Sequence, residues 1–129
     1  MKAVDTNIVV RLLLDDHAEQ SPIARRIVDE GVFIPPTVLL ETAWLLRSRY
    51  QLSREAVADY LIGLIEIPTV TIAEPNAVAW AIERSAMRGD LADLIHLVSS
   101  TGASEFVTFD DDVLRDAAPD SPIRVVIAA

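Results

Sequence analysis

The chain has 129 residues and a hydrophobic content of 51%, enough for one domain whose core needs no covalent staple. It has no cysteine, which excludes disulfides and thiolate metal sites, and its net charge of −9 argues against broad electrostatic binding to nucleic acid. Lys2 and Asp5 interrupt any apolar run of the signal-peptide type. No apolar stretch approaches the ~20 residues that a membrane span needs, so the expectation is a soluble, cytoplasmic protein with no membrane association. The charge is uneven. Residues 1–54 balance seven basic against seven acidic groups, so the whole net −9 falls in residues 55–129. The first part can therefore still present a positive patch to a phosphate chain, although scattered solvated arginines explain the same count.

Short apolar runs alternate with longer helical ones. Lys2–Val4 reads as a strand ending near Asp5, and Ile8–Leu14 as a helix. Ser21-Pro22 predicts an N-cap followed by proline at the first helical position, opening a helix to about Glu30 that Gly31 stops. Val32–Ile34 is a strand closed by Pro35-Pro36. Thr37 is the expected cap of a helix over 38–50, and Ser53 caps another, with Ala56 where a full capping box would carry glutamate. Pro68–Ile72 is extended and Pro75–Arg88 helical up to Gly89. Asp90 starts a helix that Gly102 ends. Glu105–Phe109 is a strand, 111–117 a short helix, and Arg124–Ile127 a last strand. This β-α-α-β-α-α-β-α-α-β-α-β order predicts an α/β fold with parallel strands and crossover helices, in one domain over residues 1–129. The strands read as apolar runs covered on both faces.

Sites in open parallel sheets form beyond the carboxyl ends of the strands. Asp5 ends the first strand, Asp110 ends the "FVTF" strand, and Glu41 lies early in the helix entered from the second strand. Asp90 and Asp93 open the "DLADLIHL" helix. Five carboxylates from distant segments are thus expected at one end of the sheet. Each has a plainer explanation. Asp5 in "DTN" suits a helix cap, Glu41 suits a helix dipole, Asp90 is the natural N-cap after Gly89, and the run Asp110–Asp112 suits a cap or a solvated face. Asp93 is hardest to explain away, because it stands among apolar residues where a carboxylate is costly unless paired. His96, one turn on along this apolar helix, reads as a satisfied core residue rather than a ligand, and His17 lies in an early loop. Lys2 is the single lysine, so protein cations are scarce. Hard oxygen donors without histidine or cysteine select Mg²⁺ or Mn²⁺, which makes a metal ion the expected partner of Asp93.

Four pieces, "VDTNIVVRLL", "PPTVLLETAWLL", "DLADLIHL" and "FVTFDDDVL", together resemble the PIN-domain family, and specifically its VapC-like toxins of bacterial toxin–antitoxin pairs. They occur in the family's order over nearly the whole length. The resemblance implies a three-layer α/β/α sandwich with a central, mainly parallel sheet of four to five short strands. It also implies a Mg²⁺- or Mn²⁺-dependent ribonuclease. On that basis Asp5, Glu41, Asp93 and Asp110 match the family's four acids, with Asp5 and Asp93 as direct metal ligands. Thr6 and Asn7 complete the first motif, where the asparagine orders the acidic loop, and Asp90 and Asp112 are second-tier. Leu94 departs from the alanine common there, a change of packing only.

The function implied is an endoribonuclease toxin cleaving single-stranded or looped RNA, with Arg11, Arg47 and Arg49 edging the RNA groove. A cognate antitoxin would restrain it and would be its only route to DNA. A homodimer is expected through the apolar helices of residues 38–65, whose surplus of large side chains exceeds one buried face. The alternative is a catalytically silent PIN-like interaction module. A phosphotransfer receiver fails for want of a lysine beside its aspartate, and a phosphatase with a paired Asp-x-Asp nucleophile fails because position 7 is Asn7.

Overall fold

The computed structural model describes residues 1–129 and follows the expected element order throughout: five short strands and seven helices. Two compact units are distinguished, residues 1–75 and 76–129.

The first unit contains β1 (Lys2–Ala3), α1 (Thr6–Leu14), α2 (Gln20–Asp29), β2 (Val32–Phe33), α3 (Pro36–Ser48), α4 (Arg54–Ile65) and β3 (Val70–Thr71). Its sheet is parallel, in the order β1-β2-β3, with Lys2 opposite Val32 and Val32 opposite Val70. Helix α1 packs on α2 and α3, and α3 on α4. The core is aliphatic: Val9, Val28, Val32, Ile34, Leu39, Leu46, Leu61 and Leu64 are all at most 2% exposed. Burying such side chains stabilises the fold by about 1.5–3 kcal/mol each. Two-sided burial of the strands does not hold: both residues of β1 are exposed, as are Thr71 of β3 and Val107 of the later strand Phe106–Thr108, because each of these strands lies at the edge of a small sheet.

Two helix starts differ from the sequence reading. Helix α2 begins at Gln20 and not after Ser21. The reason is local: the His17 Nδ1 accepts from the Glu19 and Gln20 N–H groups at 3.3 and 3.0 Å, while the buried Ser21 hydroxyl accepts from the His17 N–H at 3.2 Å. The histidine ring thus satisfies the N–H groups at the helix start, and the serine hydroxyl satisfies the histidine N–H in return, an arrangement akin to a capping box. Helix α3 begins at Pro36, with Pro35 at the cap and no side-chain cap bond, so Thr37 lies inside the first turn. Proline at the first helical position loses nothing, because that N–H has no helical partner.

The second unit contains α5 (Pro75–Met87, whose first residue belongs to the first unit), α6 (Leu91–Val98), β4 (Phe106–Thr108), α7 (Asp111–Ala117) and β5 (Val125–Ile127). Strands β4 and β5 pair in parallel, with Phe106 opposite Val125 and Thr108 opposite Ile127. The five strands therefore bond as a sheet of three and a sheet of two, where the sequence suggested one sheet of four to five. Gly89, at φ +90°, makes the sharp break between α5 and α6. A buried Arg84 ties the unit together. It donates to the carbonyls of Asp116 and Ala118 at 2.8 Å each, pairs with Asp120, and stacks over Trp80. No helix is long and apolar enough to cross a membrane.

Candidate active site

In the first unit, Asp5 leaves β1 in an extended conformation and caps α1, its Oδ1 accepting from the Ile8 N–H at 3.3 Å. The capping reading of Asp5 therefore holds. The residue is also exposed, which leaves the carboxylate accessible while Thr6 beside it is buried and Asn7 is exposed. Glu41 stands in the second turn of α3 and points away from the buried stripe Leu39, Thr42, Ala43 and Leu46. Arg11 is engaged by Gln20 and Asp16, and Arg47 by the Leu52 carbonyl, so both have structural work besides any contact with a substrate. Arg49 is exposed at the end of α3.

In the second unit, three carboxylates come within electrostatic reach of Asp93: Asp90, Asp110 and Asp116. Asp90 caps α6 by accepting from the Ala92 N–H at 3.0 Å, and Asp110 caps α7 by accepting from the Asp112 N–H at 2.8 Å. The Asp112 carboxylate pairs with Arg115 at 2.9 Å on an open surface. Asp93 differs from all of these. It is half-buried in the first turn of α6, and no hydrogen bond or ion pair reaches its carboxylate. Burial, then the charge of Asp90, push its pKa above the usual carboxylate value. The His96 imidazole opposes that rise, and Asp110 and Asp116 add to it. His96 itself is exposed, so it is a solvated neighbour of Asp93 rather than a core residue.

Asp116 is the group that sequence reasoning missed. Its only signal is the i, i+4 spacing from Asp112 along α7. Its side chain, 17% exposed, rests against Gly89, where an added Cβ would come within 3.2 Å of the Asp116 Cβ, and it meets Arg115 at 3.3 Å. Arg84 and Arg88 both donate to its backbone carbonyl, which holds this end of α7 in place.

One expectation is corrected. A ready-made cage of carboxylates is not formed, since no three Asp, Glu or His side chains are arranged to hold a metal ion. The cause is competition and repulsion. Asp90 and Asp110 spend an oxygen on their own helix ends, Asp112 faces Arg115, and like charges without a cation between them keep apart. The donor chemistry nevertheless fits a hard divalent cation. Asp93 is an unpaired, desolvated carboxylate, and the acids around it are oxygen donors that a cation would relieve of mutual repulsion.

The chain is thus a short-stranded parallel α/β protein with an aspartate two positions beyond β1, another two positions beyond β4, and a partly desolvated aspartate at a helix start. The chain matches the PIN domain family over residues 2–118, and it belongs to that family. PIN domains are generally nucleases and typically use divalent metals, which gives the chain a nuclease-type, PIN-like α/β/α fold. No curated protein matches the chain.

Proposed function

We propose that this protein is a Mg²⁺- or Mn²⁺-dependent endoribonuclease that acts as the toxin of a toxin–antitoxin pair. The observation that carries the reading is Asp93, a half-buried carboxylate with no protein partner, set among Asp90, Asp110 and Asp116. A group so placed costs free energy unless a ligand repays it, and such groups concentrate at functional sites. Asp93 and Asp110 are the proposed ligands in the second unit, with Asp90 beside them. Asp5 and Glu41, both exposed, are the acids on which the reading rests in the first unit. A divalent cation, when bound, supplies Lewis-acid stabilisation of the charge that develops on a cleaved phosphodiester. Asp93 and Asp110 would hold that cation, and a neighbouring carboxylate would take the proton of the attacking water as the leaving oxygen departs from phosphorus. The raised pKa of Asp93 disfavours its charged form until a cation is present, so cation binding and deprotonation of Asp93 reinforce one another.

The toxin role, the antitoxin, the homodimer and the cytoplasmic setting belong to the same proposal and are supported by the VapC-like motifs. Structure bears on the dimer in one respect. Of the large apolar side chains of residues 38–65, Leu39, Leu46, Val57, Leu61 and Leu64 are buried in the first unit, Val38, Leu40, Leu45, Tyr60 and Ile65 are half-buried, and Trp44 is exposed.

The test is cleavage of a labelled single-stranded RNA with Mg²⁺ or Mn²⁺ and with chelator. Wild type is expected to cleave only with the cation. Asp93→Asn is expected to lose at least ~100-fold, the scale seen when one charge-stabilising group is removed from an active site, while keeping its fold. Full activity of Asp93→Asn overturns the assignment. Failure of wild type with either cation points to the silent interaction module. Growth arrest on expression, relieved by the product of a short upstream reading frame, tests the toxin role.

A further inference from the structure

We infer that Trp44 is a stacking platform for an unpaired base of the RNA substrate, a positioning site on the exposed face of α3. The inference rests on the ribonuclease reading. Thr37, Glu41, Trp44 and Ser48 follow one another at helical spacing, and all four are exposed. They lie opposite the buried stripe of Leu39, Thr42, Ala43 and Leu46, and Trp44 stands 66% exposed. It sits one turn beyond Glu41, the acid of this helix, on the same face.

The surroundings of Trp44 select its occupant. A second copy of the chain or a partner helix needs a continuous apolar surface, and cores of such interfaces are depleted in charge. Here the exposed neighbours one turn from the indole are Glu41, Arg47 and Ser48, all polar, with the half-buried Leu40 and Leu45 beside them. A single flat apolar surface amid polar groups suits a single planar base, whose edges stay hydrated while its face stacks. Charge agrees. Residues 36–54 carry Glu41 against Arg47, Arg49 and Arg54, a local excess of two positive charges in a chain of net −9. Arg47, one turn beyond Trp44 on its side of the helix, would meet a phosphate of the same strand with the part of its guanidinium not bonded to the Leu52 carbonyl. Trp80, the other tryptophan, is half-buried under Arg84 and unavailable for stacking.

The experiment uses three octamer probes: a single-stranded RNA, the same RNA as a duplex, and an abasic oligomer of equal charge, each with chelator present so that nothing is cleaved. The single strand is expected to quench tryptophan emission, and the duplex and abasic probes are not. Trp44→Phe, still able to stack, removes the quench but keeps most of the affinity by anisotropy. Trp44→Ala weakens single-strand binding about tenfold, within the range for one stacked base, and with Mg²⁺ raises KM while kcat holds. Equal binding of the abasic probe, or unchanged affinity in Trp44→Ala, overturns the inference. So does absence of RNA binding by the wild type. A blue shift of Trp44 emission with rising protein concentration alone also overturns it, in favour of a self-association surface. The two readings fail separately: stacking without cleavage sinks the nuclease alone, whereas cleavage indifferent to Trp44→Ala sinks the stacking site alone.

Discussion

The turn strand–aspartate–helix occurs twice in this molecule, as β1–Asp5–α1 and as β4–Asp110–α7. In both, the aspartate is extended, exposed, and caps the helix that follows it. What differs is the company. Asp5 is followed by a buried threonine and an exposed asparagine, whereas Asp110 acts on Asp93, which also feels Asp90 and Asp116. The far ends differ too. Helix α1 finishes at Asp15, in a left-handed conformation and paired with Arg25 on the open surface. Helix α7 finishes under the grip of the buried Arg84. The same local chemistry thus gives an ordinary cap in one unit and part of a strained acidic group in the other. A cap's hydrogen bond is decided within three residues, but its electrostatic setting is decided by whatever else packs nearby.

The sharpest way to break this comparison is at the far ends. Arg84→Ala removes two bonds to buried carbonyls and the stack on Trp80, and is expected to cost about 2–4 kcal/mol. Arg25→Ala removes an exposed pair and is expected to cost under about 1 kcal/mol. Urea unfolding of the two variants measures the gap, and equal losses would remove the distinction. Next in size is the response to cations. Millimolar Mg²⁺ or Mn²⁺ is expected to raise the melting temperature, by up to about 2.7 kcal/mol of stabilisation at a hundredfold excess over Kd. Asp93→Asn should abolish the shift and Asp112→Asn, whose carboxylate faces Arg115, should retain it. A shift that survives in Asp93→Asn would place the ion elsewhere.

The caps themselves should behave alike. Asp5→Ala and Asp110→Ala are each expected to cost about 1 kcal/mol in the absence of cations, and the asparagine variants close to nothing, since asparagine caps as well as aspartate. The smallest effect is on pH. Asp93 has a folded pKa above its unfolded one, so the folded state holds the proton more tightly. Its contribution is complete below the unfolded value and is lost as pH rises through the raised folded value. Cation-free wild type should therefore lose stability across that window, and Asp93→Asn should show a flatter profile. A wild-type profile that is no steeper would count against the desolvation of Asp93.

Much of the fold was legible because its signals are short. Gly31 and Gly89 both take positive φ where the sequence placed helix stops. Ser53, Asp90 and Asp5 cap the helices that they precede, each through a backbone N–H two or three residues on. The miss at α2 is of the same range but subtler: Ser21-Pro22 has the composition of a helix start, yet the His17 ring had already taken the capping role. The motif acids were legible as candidates, and Asp5, Asp90 and Asp110 also as caps; the burial of Asp93 and the pairing of Asp112 with Arg115 were not, because a carboxylate reads the same in a sequence whether it faces water, a neighbouring acid or an arginine.

By itself the sequence determined the order of strands and helices, the helix stops at Gly31 and Gly89, most of the caps and the family, since all of these rest on residue types at fixed local spacing; α6, expected to run to Gly102, ends instead at Val98. Only the tertiary structure decided that Asp116 stands beside Asp93, that Arg84 is buried on carbonyls 32 and 34 residues away, and that Trp44 is left in the open. Those outcomes depend on how whole elements pack. Desolvation and charge act through space, and the residues that cause them lie far apart along the chain.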